Sequence, residues 1–411
     1  MVFAIVALFG VAALAIDGGL LYFQRRSAQS VADDVAMTGA LAITKGYTGS
    51  QIETILLERA IQNGFDDTSD DVDIQILWPP QAPNPYAGDL SFIQVILTSR
   101  IPLTFTQFVF QGSLEVTVES VSHARLPTEI LPGASIHAGN PSTCMALEFS
   151  GNPNVVISGG GDVHSNSTAE CACGGSGIRG DASINVLDGG EISLSGCWKE
   201  AGAAGEVNPD PDEYVAQKEL NEPPVPDCSG LPTYDAMSFN GVETISPGIY
   251  QSIKLNASAD VTLEPGLYCM NGSNGGWNIE TMGGSRLYGD GVIFYLMDSA
   301  GGWKSAGGSE LYLYAPTDFR DASNVQWAGM LIYTHPDNTN NIILTGTANS
   351  YFEGTIYAPG SHCDIEGNGG AVAFKSQFLC DTVRVNGTGD LQLYYDPSRN
   401  YYVPPAVDLA Q

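Results

Sequence analysis

The chain has 411 residues, of which 46 are Asp or Glu and 16 are Lys or Arg, giving a formal net charge of −30. That excess argues against a nucleic-acid or anionic-membrane binder. A hydrophobic share of 43%, with 5 Trp, 18 Tyr and 15 Phe beside 48 Gly and 23 Pro, is enough for packed cores and excludes a disordered acidic polymer, and the length predicts two or three domains.

The first 16 residues, MVFAIVALFGVAALAI, carry no charge, and apolar character resumes over residues 20–23 after Asp17-Gly18-Gly19. A secretory signal peptide needs a basic segment ahead of its apolar run, and here the run begins at residue 1, so the chain reads as a mature or trimmed form. Helical spacing continues through Ala28, Val31, Ala32, Val35, Gly39, Ala42 and Ile43, predicting one helix to about residue 44, roughly 66 Å long. Residues 1–45 are thus expected to form a hydrophobic helix that inserts in a membrane as a precursor and then lies in a filament core. Ala28, Ala32, Ala36 and Ala40 recur every four residues, a small-residue ladder that suits either packing on its own domain or packing against copies of itself. The Gly18-Gly19 pair predicts a kink or a melted turn, because each Gly costs about 1 kcal/mol against Ala in a helix interior.

The run AIDGGLLYFQRRSAQSVADDVAMTGALA places an apolar segment before D-G-G, an aromatic, R-R and an alanine-rich helix. In that order it resembles the N-terminus of TadE/TadG-like proteins of Tad (Flp) pilus assembly. It departs from type IV pilins, which commonly carry Glu at the fifth mature position, where this chain has Ile5.

Residues 46–126 read as a small α+β domain. Ser50-Gln51-Ile52-Glu53 has a capping-box pattern, and Ile52, Ile55, Leu56, Ala60 and Ile61 then follow at helical spacing up to Asn63-Gly64. Alternation in Val72, Ile74, Ile76 and Trp78, in Ile93, Val95 and Leu97, and in Leu114, Val116 and Val118 predicts three half-buried strands. This order, with a Phe-rich turn at Phe105, Phe108 and Phe110, also resembles TadG-like proteins. Asp66, Asp67, Asp70, Asp71 and Asp73 form an acidic run that offers ligands for Ca²⁺, but it lacks the Gly and distal Glu of an EF-hand loop, matches poorly, and reads first as a solvated turn.

Residues 127–411 carry 33 of the acids against 10 bases, and all eight cysteines. Short β-rich stretches separated by Gly, Asn and Asp dominate, with a helical pattern only at 214–220. Ser-Pro-Gly-Ile-Tyr at 246–250 recurs as Glu-Pro-Gly-Leu-Tyr at 264–268, and Tyr-Ala-Pro at 314–316 recurs at 357–359. Imperfect repeats near 20 residues point to a parallel β-helix or other solenoid, with an antiparallel sandwich as the alternative. Strands stacked about 4.8 Å apart suit disulfides, so Cys363 is expected to pair with Cys380 and Cys228 with Cys269, leaving Cys144, Cys171, Cys173 and Cys197 to pair among themselves. Zinc is the competing reading, but the chain has no C-x-x-C. The phrases VTLEPGLYCMNG, GSRLYGDGVIFYL and FEGTIYAPGS resemble the Gly-rich C-terminal region of long TadG-like proteins, which implies a secreted, non-catalytic surface domain.

No HExxH, GxSxG, P-loop or GxGxxG context surrounds a nucleophile or phosphate cradle. The one arrangement suggesting a thiol catalyst is His362 beside Cys363. A carbohydrate-active enzyme on a β-helix would use Asp321 or Asp364 with Arg320 or Lys304, and stack sugars on Trp277, Trp303 and Trp327. Sequons begin at Asn166, Asn256, Asn271 and Asn386.

The expected function is that of a non-enzymatic structural subunit of an extracellular pilus-like filament. It would self-assemble through the N-terminal helix with the acidic β domain outside, without cofactors. The expected partners are further copies of itself, the membrane before assembly, and glycans or surfaces. The first alternative is a membrane-anchored minor pilus-assembly protein or adhesin, and the second a β-helix carbohydrate-active enzyme.

Overall fold

The computed structural model describes residues 2–102, 113–170, 175–202, 205–317, 326–346, 350–367 and 372–410, with the side chains of the first helix described from residue 15 onward. The chain forms two compact units, Met1–Thr128 with Pro404–Gln411, and Glu129–Val403. The second boundary differs from the expected one because the last strand, Ala406–Ala410, pairs antiparallel with residues 121–125 and so belongs to the first unit.

In the first unit, helix α1 (Val2–Thr44) and helix α2 (Gly49–Gln62) accompany the strands β1 (Val72–Leu77), β2 (Phe92–Pro102) and β3 (Ser113–Arg125). The strands and Ala406–Ala410 make an antiparallel sheet in the order β1, β2, β3, C-terminal strand. The helical assignment of α1 runs unbroken through Gly18-Gly19, with no melted turn, since the backbone hydrogen bonds on both sides carry the helix across two residues of low propensity. Thr48 caps α2, its N–H donating to Gln51 Oε1 at 2.9 Å, so the capping box sits two residues earlier than the sequence pattern suggested. Ile52, Leu56 and Ala60 turn inward from α2, while Ile61 is exposed. The Phe-rich turn at 105–110 lies outside the described residues.

Ala28, Ala32, Ala36 and Ala40 are fully buried in one cluster with Val31, Val35, Ile93, Val95, Leu97, Val116 and Val118. Their small side chains let α1 lie close on its own sheet, so the ladder meets that sheet and leaves no free face for a second helix. The close fit extends to Gly39, where an added Cβ would come within 2.8 Å of Ile93 Cδ1.

Among the described residues no helix is long and apolar enough to cross a membrane. From residue 15 onward α1 carries Asp17, Arg25, Arg26, Asp33 and Asp34, charges that are costly in a hydrocarbon core. This overturns the transmembrane helix and the membrane-inserted precursor expected from the apolar start.

The second unit is a large, solenoid-like, mostly parallel β domain. From Thr233–Tyr234 to Glu310–Tyr314 each strand pairs in parallel with the strand three places later, and the long strands Tyr351–Gly367 and Val372–Gly387 then continue the three lines of pairing. Apolar residues of all three lines, among them Ile136, Ile253, Leu287 and Leu344, meet in one buried cluster. The Pro-Gly repeat marks successive levels: Tyr250 and Tyr268 donate from their hydroxyls to the carbonyls of Ser246 (2.5 Å) and Glu264 (2.7 Å). Their rings stack at 6.0 Å. On an outward column Lys254, Glu280 and Lys304 occupy neighbouring strands with alternating charge, and Lys254 Nζ lies 2.7 Å from Glu280.

The chain enters this stack in its middle. Residues 134–208 build three repeats in one direction. An extended strap over residues 212–228 then runs back along the domain, and the later strands climb until Val372–Gly387 pairs in parallel with Ala134–Ala138 and Leu147–Gly151. The strap includes the segment read as helical at 214–220, which is extended because its backbone bonds to the stack. Val215 N donates to Leu194 O at 2.9 Å, Lys218 N to Asn166 Oδ1 at 2.8 Å, and Asn221 N to Ile130 O at 2.8 Å.

Cys228, at the far end of the strap, is disulfide-bonded to Cys269 across 41 residues of sequence. Closing a loop of that length contributes about 4 kcal/mol in the chain-entropy account. The Cys228→Ser variant is therefore expected to lose stability on that order in urea melts and to be cut first within residues 212–228 under limited proteolysis.

Candidate functional site

On the outer side of α1, away from its alanine face, apolar side chains are left exposed. Ile16, Leu20 and Phe23 recur at i, i+4 and i+7 and are 48%, 46% and 69% exposed. Farther along, beyond Ser27, Ser30 and Asp34, Met37 and Leu41 are also exposed. Asp34 on the same side is neutralised by Arg59, whose Nε lies 2.7 Å from it, and this contact holds the Asp34 carboxyl below the usual carboxylate range. Apolar and i, i+4, i+7 in period, the stripe is legible in the sequence beside the alanine ladder.

The residues singled out for chemistry are placed as follows. Cys228 is joined to Cys269, and Cys363 to Cys380 with Cα atoms 6.1 Å apart. Cys144 and Cys197 are in disulfides, and Cys171 and Cys173 lie outside the described residues. Cys363 therefore offers no thiolate to His362, whose Nδ1 instead shares a hydrogen bond with Thr382 Oγ1 at 2.7 Å. Asp364 is 3% exposed and held bidentately by Arg384, with Asn386 Nδ2 at 3.2 Å. Asp321 and Arg320 lie outside the described residues. Lys304 sits over the Trp277 ring at 5.5 Å. Trp303 and Trp327 are buried, at 0% and 4%, and offer no sugar-stacking surface. The sequon residue Asn166 is itself 9% exposed, with its amide bonded to Lys218 O, whereas Asn271 is exposed.

The acidic run is not gathered around a centre. Asp66 Oδ1 accepts from the N–H and hydroxyl of Thr68, which lowers its pKa, and Asp67 Oδ1 accepts from Ile74 N at 2.8 Å. Asp70 and Asp71 offer backbone carbonyls to Arg100, and Asp73 accepts from Gln75. Among the described residues no group of three or more His, Cys, Asp or Glu is placed to hold a metal ion.

A feature not singled out in the sequence lies under the strap. His137 and His164 sit on neighbouring strands, both 0% exposed, with parallel rings 5.5 Å apart. His164 bonds Ser193 Oγ at 2.7 Å and Asn166 Oδ1 at 3.0 Å, while neither ring nitrogen of His137 has a hydrogen-bond partner. Burial lowers both pKa values, His137 to about 3 and His164 to about 4, with the Lys218 ammonium acting in the same direction. The signal in the sequence is the pair Ser-Ile-His-Ala and Asp-Val-His-Ser, one repeat apart, each with His following an aliphatic residue.

No family model matches the sequence, and no curated protein matches it. Among solved structures, the competence-associated pilin ComZ from Thermus thermophilus aligns over 84% of this chain and 89% of that chain, at 9% identity and a TM-score of 0.23. This is a distant, partial likeness to a pilin, and a superposition that loose supports no inference about shared fold or function. The TadE/TadG resemblance rests on the sequence motifs alone.

The buried histidines give the domain an acid-sensitive window. The unfolded chain binds protons near pH 6.5 while the folded chain resists them, so stability is full above pH 6.5 and falls as the pH drops toward the folded values of about 3 and 4. Melting temperature is expected to decline between pH 6.5 and 5, above the carboxylate range, and the decline is expected to shrink in the His137→Leu variant.

Proposed function

We propose that this chain is a structural, non-catalytic subunit of an extracellular pilus-like filament. Copies associate through the exposed apolar side of α1, and the acidic β domain, its three lines of strands closing as a parallel β-helix, faces solvent. The observation that carries the reading is the row of Ile16, Leu20 and Phe23, exposed on the stretch of α1 that precedes the part committed to its own sheet from Ala28 onward. Apolar surface in such a row gains free energy by burial, at about 25 cal/mol per Å². A second copy presents the same row, and a head-to-tail contact between such rows that does not close on itself extends into a filament without a further partner.

Two further features support the reading. Disulfides between Cys228 and Cys269 and between Cys363 and Cys380 suit an oxidising, extracellular compartment. The excess of acids in residues 127–411 keeps neighbouring assemblies apart and soluble. The N-terminal motif, which resembles that of Tad pilus-assembly proteins, agrees with both.

Electron microscopy and sedimentation of the purified full chain test this reading. Filaments or large oligomers are expected for the native chain and monomers for the double variant Ile16→Asp, Phe23→Asp. A native chain that stays monomeric under all conditions, or assemblies untouched by the double variant, would overturn it.

A further inference from the structure

The row of Ile16, Leu20 and Phe23 is followed at once by two basic side chains. Arg25 and Arg26 are both exposed, and among the described residues neither enters an ion pair or a side-chain hydrogen bond. The chain has 16 bases against 46 acids, and other arginines are committed within it: Arg59 to Asp34, Arg100 to Glu115, Arg125 to Asp408, Arg286 to Asp260 and Arg384 to Asp364. Asp17 is buried, so the exposed charges along residues 15–26 are both positive. The approach to the apolar row is therefore basic.

The opposite charge stands on the same unit, in the turn between α2 and β1. Asp66, Asp67, Asp70, Asp71 and Asp73 are all exposed there with no base among them, and the carboxylates of Asp70 and Asp71 accept no hydrogen bond among the described residues. Neighbouring residues of β2 hold the two surfaces at one end of the sheet. Arg100 donates from its backbone N to Asp71 O at 2.8 Å and from Nη1 to Asp70 O at 2.6 Å, while Ser99 Oγ accepts from Gln24 Nε2 of α1 at 3.1 Å. Within one copy the arginines and the acidic turn do not pair.

We propose that Arg25 and Arg26 of one copy dock on the acidic turn Asp66–Asp73 of the next, beside the contact made by the apolar row. This rests on the filament reading and names the surface that the basic end of the row meets. Copies that each carry a charge of −30 repel one another, so apolar rows meet most readily where that repulsion is locally reversed. The unpaired arginines and the open carboxylates of Asp70 and Asp71 supply that reversal. Exposed ion pairs add little affinity, and their effect is to choose the neighbour and its orientation. The contact joins two different surfaces, so every added copy leaves one of each free and growth continues.

The test is sedimentation and electron microscopy of the full chain carrying exposed charge reversals. The double variants Arg25→Glu, Arg26→Glu and Asp70→Lys, Asp71→Lys are each expected to lower the assembled fraction at least tenfold alone. Mixed in equal amounts, they are expected to recover assembly to within twofold of the native chain, since each then meets its opposite charge. The conservative pair Arg25→Lys, Arg26→Lys is expected to assemble as the native chain does. Native-level assembly by either reversed variant alone, or a mixture that does not recover, would overturn this docking and leave the filament reading standing. A native chain that stays monomeric would overturn both. Binding to phosphatidylglycerol vesicles that Arg25→Glu, Arg26→Glu abolishes while assembly persists would assign the arginines to a membrane surface and overturn the docking as well.

Discussion

The β domain depends on one set of parallel hydrogen bonds, those that seat Val372–Gly387 on Ala134–Ala138 and Leu147–Gly151. Phe378 faces Ile136, Leu379 faces His137, and Val383 faces Leu147. At this seam the last repeat of the chain becomes the neighbour of the first. Residues 134–208 alone make three repeats with two open ends, and a parallel ladder end is a row of unmet backbone donors and acceptors. Pairing across the seam removes one of those ends and merges both chain segments into a single apolar core. The long closure this requires is offset by local devices: the Cys363–Cys380 bridge beside the seam, the strap bonded along the outside, and the Cys228–Cys269 bridge that anchors the strap's far end.

Register along the stack is held by polar columns as well as by the core. Because facing residues in parallel strands lie about 4.8 Å apart, like charges repeated level after level would repel. The outward column alternates instead, Lys254 with Glu280 and Lys304, then Asp364 with Arg384 and Glu148. A slip of one level would set like charge against like. A chain with so few bases thus places several of them where they fix alignment. Arg384 stands in this column at the seam, paired with Asp364 on one side and facing Glu148 across the seam on the other.

Legibility in the sequence follows the range of the interaction. Ile52, Leu56 and Ala60 announce α2 because a helix is a local object, and the alternation in Ile93, Val95 and Leu97 announces a strand for the same reason. The Pro-Gly-x-Tyr repeat was readable because Tyr250 and Tyr268 bond four residues back within their own turns. The strap departs from its helical spacing at 214–220 because its backbone N–H groups donate to groups remote in sequence, Val215 to Leu194 and Lys218 to Asn166. The alanine ladder was ambiguous in sequence, for small residues favour close approach to a sheet as readily as to a helix. Nothing local could reveal the seam, where Ile136 and Phe378 meet across most of the domain, or single out His137, which that seam helps to bury.

The same seam brings His137, the strap and Asp381 to one place, so the domain's continuity and the burial of His137 are one structural fact. Native-state hydrogen exchange, resolved by residue, measures that continuity directly. If the account holds, the amides of Ile136, Leu147 and Phe149 exchange in the same slowest, globally unfolding class as those of Phe378, Val383 and Val385. Exchange of residues 134–208 as a separate, earlier-opening unit, with residues 233–394 still protected, would contradict it.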